Sequence, residues 1–136
     1  MLTIENLTSF HRFVQNGFFC IYLAGYHSVC ISKYLRKIEK PEEKEWLHFG
    51  DIDPDGYMIL QNLRNKTGLD FQPYQMNKEI LGHYKKYSKR LEKQDKIKAN
   101  TLIAEEFYSS ALKYMLENDM KLEQEVIAIE TEGYRR

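Results

Sequence analysis

Cysteine is scarce in this chain, and no apolar stretch is long. Two cysteines, Cys20 and Cys30, stand among 136 residues; they have neither metal-finger spacing nor the density of a secreted, disulfide-stapled scaffold. The default is a reduced, cytoplasmic protein with both thiols as core residues. No apolar run approaches the roughly 20 residues of a membrane span, and no basic-then-apolar leader opens the sequence. Membrane attachment is therefore not expected. Proline occurs three times and glycine seven, too few for a low-complexity tract, and no repeat or linker divides the chain. Net charge is also missing, since 20 basic residues offset 20 acidic ones.

What remains is ordinary globular material, with 43% apolar and 13% aromatic residues. A chain of this length folds as one domain and buries roughly two thirds of its unfolded surface. The balanced total hides a local excess: residues 78–98 hold eight basic and three acidic residues, a net of +5.

Short apolar runs alternate with helical periodicity in the first half, the pattern of strand-helix-strand units around a mostly parallel sheet. The strand candidates are Leu2–Ile4, Phe18–Leu23, Trp46–Phe49 and Leu69–Phe71. Helices are expected over about Ser9–Gln15, Ser28–Ile38 (with Ile31, Tyr34, Leu35 and Ile38 on one face) and from Pro54 to Gly68. The second half reads as helical over Lys78–Lys93, Thr101–Asn118 and Leu122–Glu130. The expectation is a single α/β domain, residues 1–136, with a four-stranded sheet flanked by helices and a helical C-terminal part.

The chemistry concentrates in Gly50-Asp51-Ile52-Asp53-Pro54-Asp55-Gly56. Three carboxylates over five residues repel one another unless a cation holds them, and oxygen donors of this kind suit magnesium or calcium. Ligands of open α/β sheets bind beyond the carboxyl ends of the strands. Glu5 follows the first strand, and Asp51 and Asp53 follow the third; adjacent strands would make these three converge. Asp53 has a second reading, because Asp-Pro at the start of a helix is an N-cap followed by proline at N1. Asp55 in the first turn would complement the helix dipole. Capping explains neither Asp51 nor Glu5.

Two other chemistries use the same residues. Asp51, Asp53, Asp55 and Gly56 match the first half of an EF-hand calcium loop, but the twelfth position, which should be glutamate, is Asn62. An aspartate-nucleophile phosphotransferase also places Asp-x-Asp after a strand, normally the first strand rather than the third.

The runs Thr3-Ile4-Glu5-Asn6-Leu7-Thr8, Tyr22-Leu23-Ala24-Gly25-Tyr26-His27 and Phe49-Gly50-Asp51-Ile52-Asp53-Pro54-Asp55-Gly56 resemble the Toprim domain of topoisomerases, primases and nucleases. They are most similar to the C-terminal domain of the JetD family, the nuclease subunit of Wadjet anti-plasmid defence. Lys121-Leu122-Glu123-Gln124-Glu125 resembles a further family segment. The resemblance implies metal-dependent DNA cleavage, with Glu5, Asp51 and Asp53 holding one or two Mg²⁺ or Mn²⁺ ions and Glu125, or less favourably Glu123, serving a second ion. It also implies DNA and condensin-like Wadjet subunits as partners, a possible homodimer, and an N-terminal DNA-binding region in full-length members. The topoisomerase tyrosine nucleophile lies outside this part of the fold, so hydrolysis is the consistent chemistry. A degenerate domain that only binds DNA or dimerises is the alternative.

Around this core, Lys85, Lys86, Lys89 and Arg90, with Tyr84 and Tyr87 interleaved, form a candidate DNA-phosphate patch or else a solvated helix face. His27, after the second strand, and His48, within the third, flank the proposed active face, where a histidine would contact a phosphate or orient a water; strand histidines are more often ordinary, partly buried residues, and His27 is the better candidate.

Overall fold

A computed structural model describes residues 1–24, 29–38 and 44–130. Four short strands alternate with helices: β1 (Leu2–Ile4), α1 (Leu7–Gln15), β2 (Cys20–Tyr22), α2 (Val29–Lys37), β3 (Trp46–Phe49), α3 (Pro54–Thr67) and β4 (Phe71–Pro73). Then follow α4 (Lys78–His83), a single 3-10 turn (Lys85–Tyr87), α5 (Lys93–Ala104), α6 (Ser109–Asn118) and α7 (Gln124–Glu130). The architecture is α/β, as the alternation of apolar runs and helical periods predicts. Among the described residues no helix is long and apolar enough to cross a membrane.

All strand pairings are parallel, in the order β2-β1-β3-β4. Leu2, Ile4 and Phe49 are buried, and Phe49 packs against Phe13 and Tyr74 with ring centroids 5.3 and 6.1 Å apart. Strands buried on both faces carry continuous apolar runs. The chain leaves β1 to one side for β2 and returns to its other side for β3, so strand order reverses between β1 and β3. That reversal opens a crevice at their carboxyl ends. The register Thr3↔His48 and Ile4↔Phe49 places Glu5 and Gly50 together at its rim.

α3 begins and ends as its sequence dictates. Asp53 accepts from the Gly56 amide at 2.6 Å, Pro54 occupies the first turn, and Gly68 closes the helix at φ +69°. Gly56 has a further role: a Cβ there would lie 2.2 Å from the Asp51 carbonyl oxygen.

Several boundaries differ from the sequence reading. β2 is shorter than Phe18–Leu23, and β4 begins at Phe71 rather than Leu69. α1 starts at Leu7 because Asn6, not a later residue, caps it, accepting from the Ser9 amide at 3.0 Å. On α2 the buried positions are Ser32 and Leu35, while Tyr34 is exposed; Cys30 is exposed and Cys20 on β2 only half-buried, so neither thiol is the core residue expected, and Ser28 lies outside the described residues. The single helix expected over Lys78–Lys93 is instead α4, the 3-10 turn and an extended stretch. Lys89 turns its backbone to Lys121, with both N–H to O distances at 2.8 Å, and that pairing overrides helical propensity. The helix expected over Thr101–Asn118 is likewise divided, with left-handed Glu106 and Tyr108 between α5 and α6. Dividing it lets α5 and α6 pack on each other while Leu102, Ala111 and Met115 all stay buried.

The segment after α6 returns to the sheet. Leu122 forms an antiparallel bridge with Ile52, with N–H to O distances of 2.8 and 3.1 Å, and Lys121 forms the one with Lys89. This places Glu123, Gln124 and Glu125 beside the acidic loop. Gly56→Ala, which forces a methyl group against the Asp51 carbonyl, is expected to destabilise the fold by about 1–3 kcal/mol; the shift of the urea midpoint measures it, and an unchanged midpoint would contradict the packing described.

Candidate metal centre

Glu5 and the Asp51–Asp55 loop meet at the strand-order reversal. The Glu5 amide donates to the Phe49 carbonyl at 3.3 Å, extending the β1–β3 ladder by one rung, and both Asp51 and Asp55 raise the pKa of the Glu5 carboxyl by charge. Asp51, Asp55 and Glu5 act on Asp53 in the same way. Glu125 and Glu123 act on Asp51. The structure therefore brings Glu5, Asp51, Asp53 and the Glu123–Glu125 segment into one electrostatic neighbourhood.

Each of the three central acids commits one oxygen to a hydrogen bond with the protein. Glu5 Oε1 lies 2.7 Å from His48 Nε2. Asp51 Oδ1 accepts from the Gln124 amide at 2.8 Å, with the Gln124 side chain as a second donor. Asp53 Oδ1 is the α3 cap. Glu125 is fixed from the other side, accepting from Asn6 Nδ2 at 2.5 Å. Asn6 thus caps α1 with its oxygen and holds α7 with its nitrogen. Asp55 forms an ion pair with Lys98 at 2.6 Å.

Crowding dominates the protonation states. Burial, then Asp51 and Asp55, push Glu5 up to about 9. Burial, opposed by the Gly56 amide and reinforced by the neighbouring acids, pushes Asp53 up to about 7. Asp51 is raised by burial but partly relieved by Gln124. Burial lowers His48 to about 3. Near neutral pH the Glu5–His48 contact is therefore a hydrogen bond between uncharged groups, not an ion pair. Matching donors to acceptors, Glu5 donates to Nε2, Nδ1–H donates to Thr3 Oγ1 at 2.9 Å, and Thr3 donates to the Leu47 carbonyl at 3.2 Å.

The donor set fits a hard divalent cation. It consists of carboxylate oxygens under mutual repulsion, and beside them the Gln124 side-chain oxygen is buried without a hydrogen-bond partner. The shell is not preassembled: among the described residues no three His, Cys, Asp or Glu side chains surround one point as ligands. The physical reason is visible in the anchors, since uncompensated acids turn toward hydrogen-bond partners in the protein.

The structure overturns the calcium-loop alternative. A strand, not a helix, precedes Asp51, and α3 already begins at Pro54, so Asn62 lies within that helix. The basic segment does not present one helical face. Lys89 pairs with Glu123 at 2.5 Å and Arg90 with Asp119 at 2.8 Å, while Lys85 and Lys86 sit exposed on the 3-10 turn, Lys86 4.7 Å above the Tyr87 ring. His27 lies outside the described residues. Among the described residues it is His48, ranked below His27 from sequence, that touches an acid. Its partner depends on the β1–β3 register, which the sequence does not announce.

Comparison with known proteins places this geometry in context. The family described as Wadjet protein JetD, C-terminal, matches residues 1–134. The Wadjet protein JetD of Bacillus cereus is 25% identical over 135 residues, covering 93% of this chain and 33% of that protein. The chain spans about a third of the length of the curated relative it matches.

The protonation states set a pH dependence. Glu5 and Asp53 have folded pKa values above their ordinary 4.5 and 3.8, so they hold protons that the unfolded chain has lost. Their contribution is full at low pH and fades as pH rises toward about 9 and about 7. His48 acts oppositely, but only between about 3 and 6.5. In a chelator, stability is therefore expected to fall from pH 6.5 to 9, and Glu5→Gln should flatten the decline. Urea midpoints across that range check this, and a level or rising wild-type profile would contradict it.

Proposed function

The chain belongs to the family of the JetD C-terminal domain, and from that premise we propose that it carries a Toprim-class, Mg²⁺- or Mn²⁺-dependent centre for DNA phosphodiester cleavage in anti-plasmid defence. The observation that carries this reading is the convergence of Glu5, Asp51 and Asp53 at the strand-order reversal, with Glu125 brought alongside by α7. Glu5, Asp51 and Asp53 hold the ion, and Glu125 is the ligand available to a second one. A bound cation supplies charge for the phosphoryl oxygens and a more acidic water.

The chain's own residues define the rest. Gln124 fixes Asp51, the α3 cap fixes Asp53, and Lys98 offsets Asp55. Lys85 and Lys86 are the exposed cations best placed to meet a phosphate backbone, because Lys89 and Arg90 already face carboxylates. In this reading DNA is delivered with the condensin-like subunits of a Wadjet assembly, and a homodimer is compatible with cleavage of both strands. A binding-only module is the second reading, favoured by the uncharged state of Glu5 and the absence of a ready ligand shell among the described residues.

Supercoiled plasmid incubated with the protein and Mn²⁺ separates the two. Cleavage is expected, with Asp51→Asn and Glu5→Gln lowering both the rate and Mn²⁺ affinity by more than the about 10–100-fold of outer-shell changes. Intact plasmid, together with DNA retention indifferent to metal, would support the binding-only module. Lys85→Glu combined with Lys86→Glu should weaken DNA binding and reduce the log K against log salt slope by about 2. Lys89→Glu with Arg90→Glu should change it less; equal effects would contradict the ion-pair assignment.

A further inference from the structure

His48 is a residue that strand packing alone does not explain. It is fully buried on β3, where an apolar side chain would carry no desolvation cost. Its ring is instead fixed at both nitrogens, by Thr3 at 2.9 Å and by Glu5 at 2.7 Å. Thr3 is its register partner on β1 and is itself fully buried. Two residues further along each strand stand Glu5 and Gly50, on the same side of the sheet as Thr3 and His48. A Cβ on Gly50 would lie 2.2 Å from Glu5 Oε1 and 3.1 Å from His48 Nε2. The strand face is thus shaped at two positions, one by an imidazole and one by a missing side chain, around a single carboxyl oxygen.

The other Glu5 oxygen has no hydrogen-bond partner among the described residues. We propose that His48, clamped by Thr3, is a positioning residue that holds one Glu5 oxygen and so presents the other to a divalent cation shared with the aspartates of the α3 loop. The inference rests on the metal-centre reading above. A histidine that orients a ligating carboxylate does what hydrogen-bonded outer partners do in metal sites: it removes the rotational freedom that the ligand would otherwise lose on binding. A merely packed histidine would need neither its contact with Glu5 nor the space left by Gly50.

Calorimetric titration of Mn²⁺ into the wild type, His48→Phe, His48→Gln and Thr3→Val tests this, with cooperative unfolding as the control for folding. His48→Phe keeps the ring volume and loses both nitrogens, and it should weaken Mn²⁺ binding about 10–100-fold. His48→Gln returns a polar atom near Nε2 and should recover most of that loss. Thr3→Val, which frees the ring without touching Glu5, should fall between them and serves if His48→Phe does not fold. Unchanged affinity in folded His48→Phe, or in Thr3→Val where His48→Phe does not fold, overturns the positioning role while leaving the cation site intact. Equal loss in His48→Phe and His48→Gln also overturns it, because the polar contact would then be irrelevant. A wild type that takes up no Mn²⁺ removes the metal centre itself, and this inference with it.

Discussion

The parallel pairing of β1 with β3 is the constraint on which the rest depends. It joins segments more than forty residues apart, buries Ile4 and Phe49 side by side, and carries its last rung to the Glu5 amide. Strand order reverses across this pair, and such a reversal opens a crevice at the carboxyl ends. Everything polar in the site follows from that opening. A one-residue slip of β3 against β1 would separate Thr3 from His48 and put Glu5 and Gly50 out of phase.

Electrostatics gives the crevice its character. Packing Glu5, Asp51, Asp53 and Asp55 together is unfavourable, and the fold meets the cost in three ways. It protonates Glu5 and raises Asp53, it points amides from α3 and α7 at the aspartates, and it sets Lys98 against Asp55. None of these removes the concentration of negative potential. Apolar or neutral residues at these positions would cost the fold less, so the presence of these acids in a partly buried cluster favours a ligand that binds them. The C-terminal segment adds to the same potential, because its bridges to Ile52 and Lys89 bring Glu123 and Glu125 toward Asp51 rather than away from it.

Much of this was legible in the sequence, for reasons specific to particular residues. The order of strands and helices in the first half followed from apolar runs with turn signals between them, and the α3 start followed from Asp53-Pro54. Glu5 and Asp51 were recognisable as strand-end acids that capping leaves unexplained. What remained hidden depended on tertiary pairing. Lys89 leaves the helical state to meet Lys121, which divides a basic stretch that looks continuous by propensity. Glu106 and Tyr108 adopt left-handed conformations that their residue types do not announce. His48 became informative only through the Thr3 register, whereas His27 had looked the better candidate because it stands at a strand end.

The central claim is that this acid cluster is a divalent-cation site held apart from its ligand state by protonation and protein donors. Carboxyl ¹³C resonances of Glu5, Asp51 and Asp53, followed through pH titrations with and without Mg²⁺, test it most directly. The account predicts a Glu5 midpoint near 9 in the absence of metal, and saturable shifts of all three resonances with a Glu5 midpoint several units lower once Mg²⁺ is bound. Resonances indifferent to Mg²⁺, with the Glu5 midpoint unmoved, would contradict it.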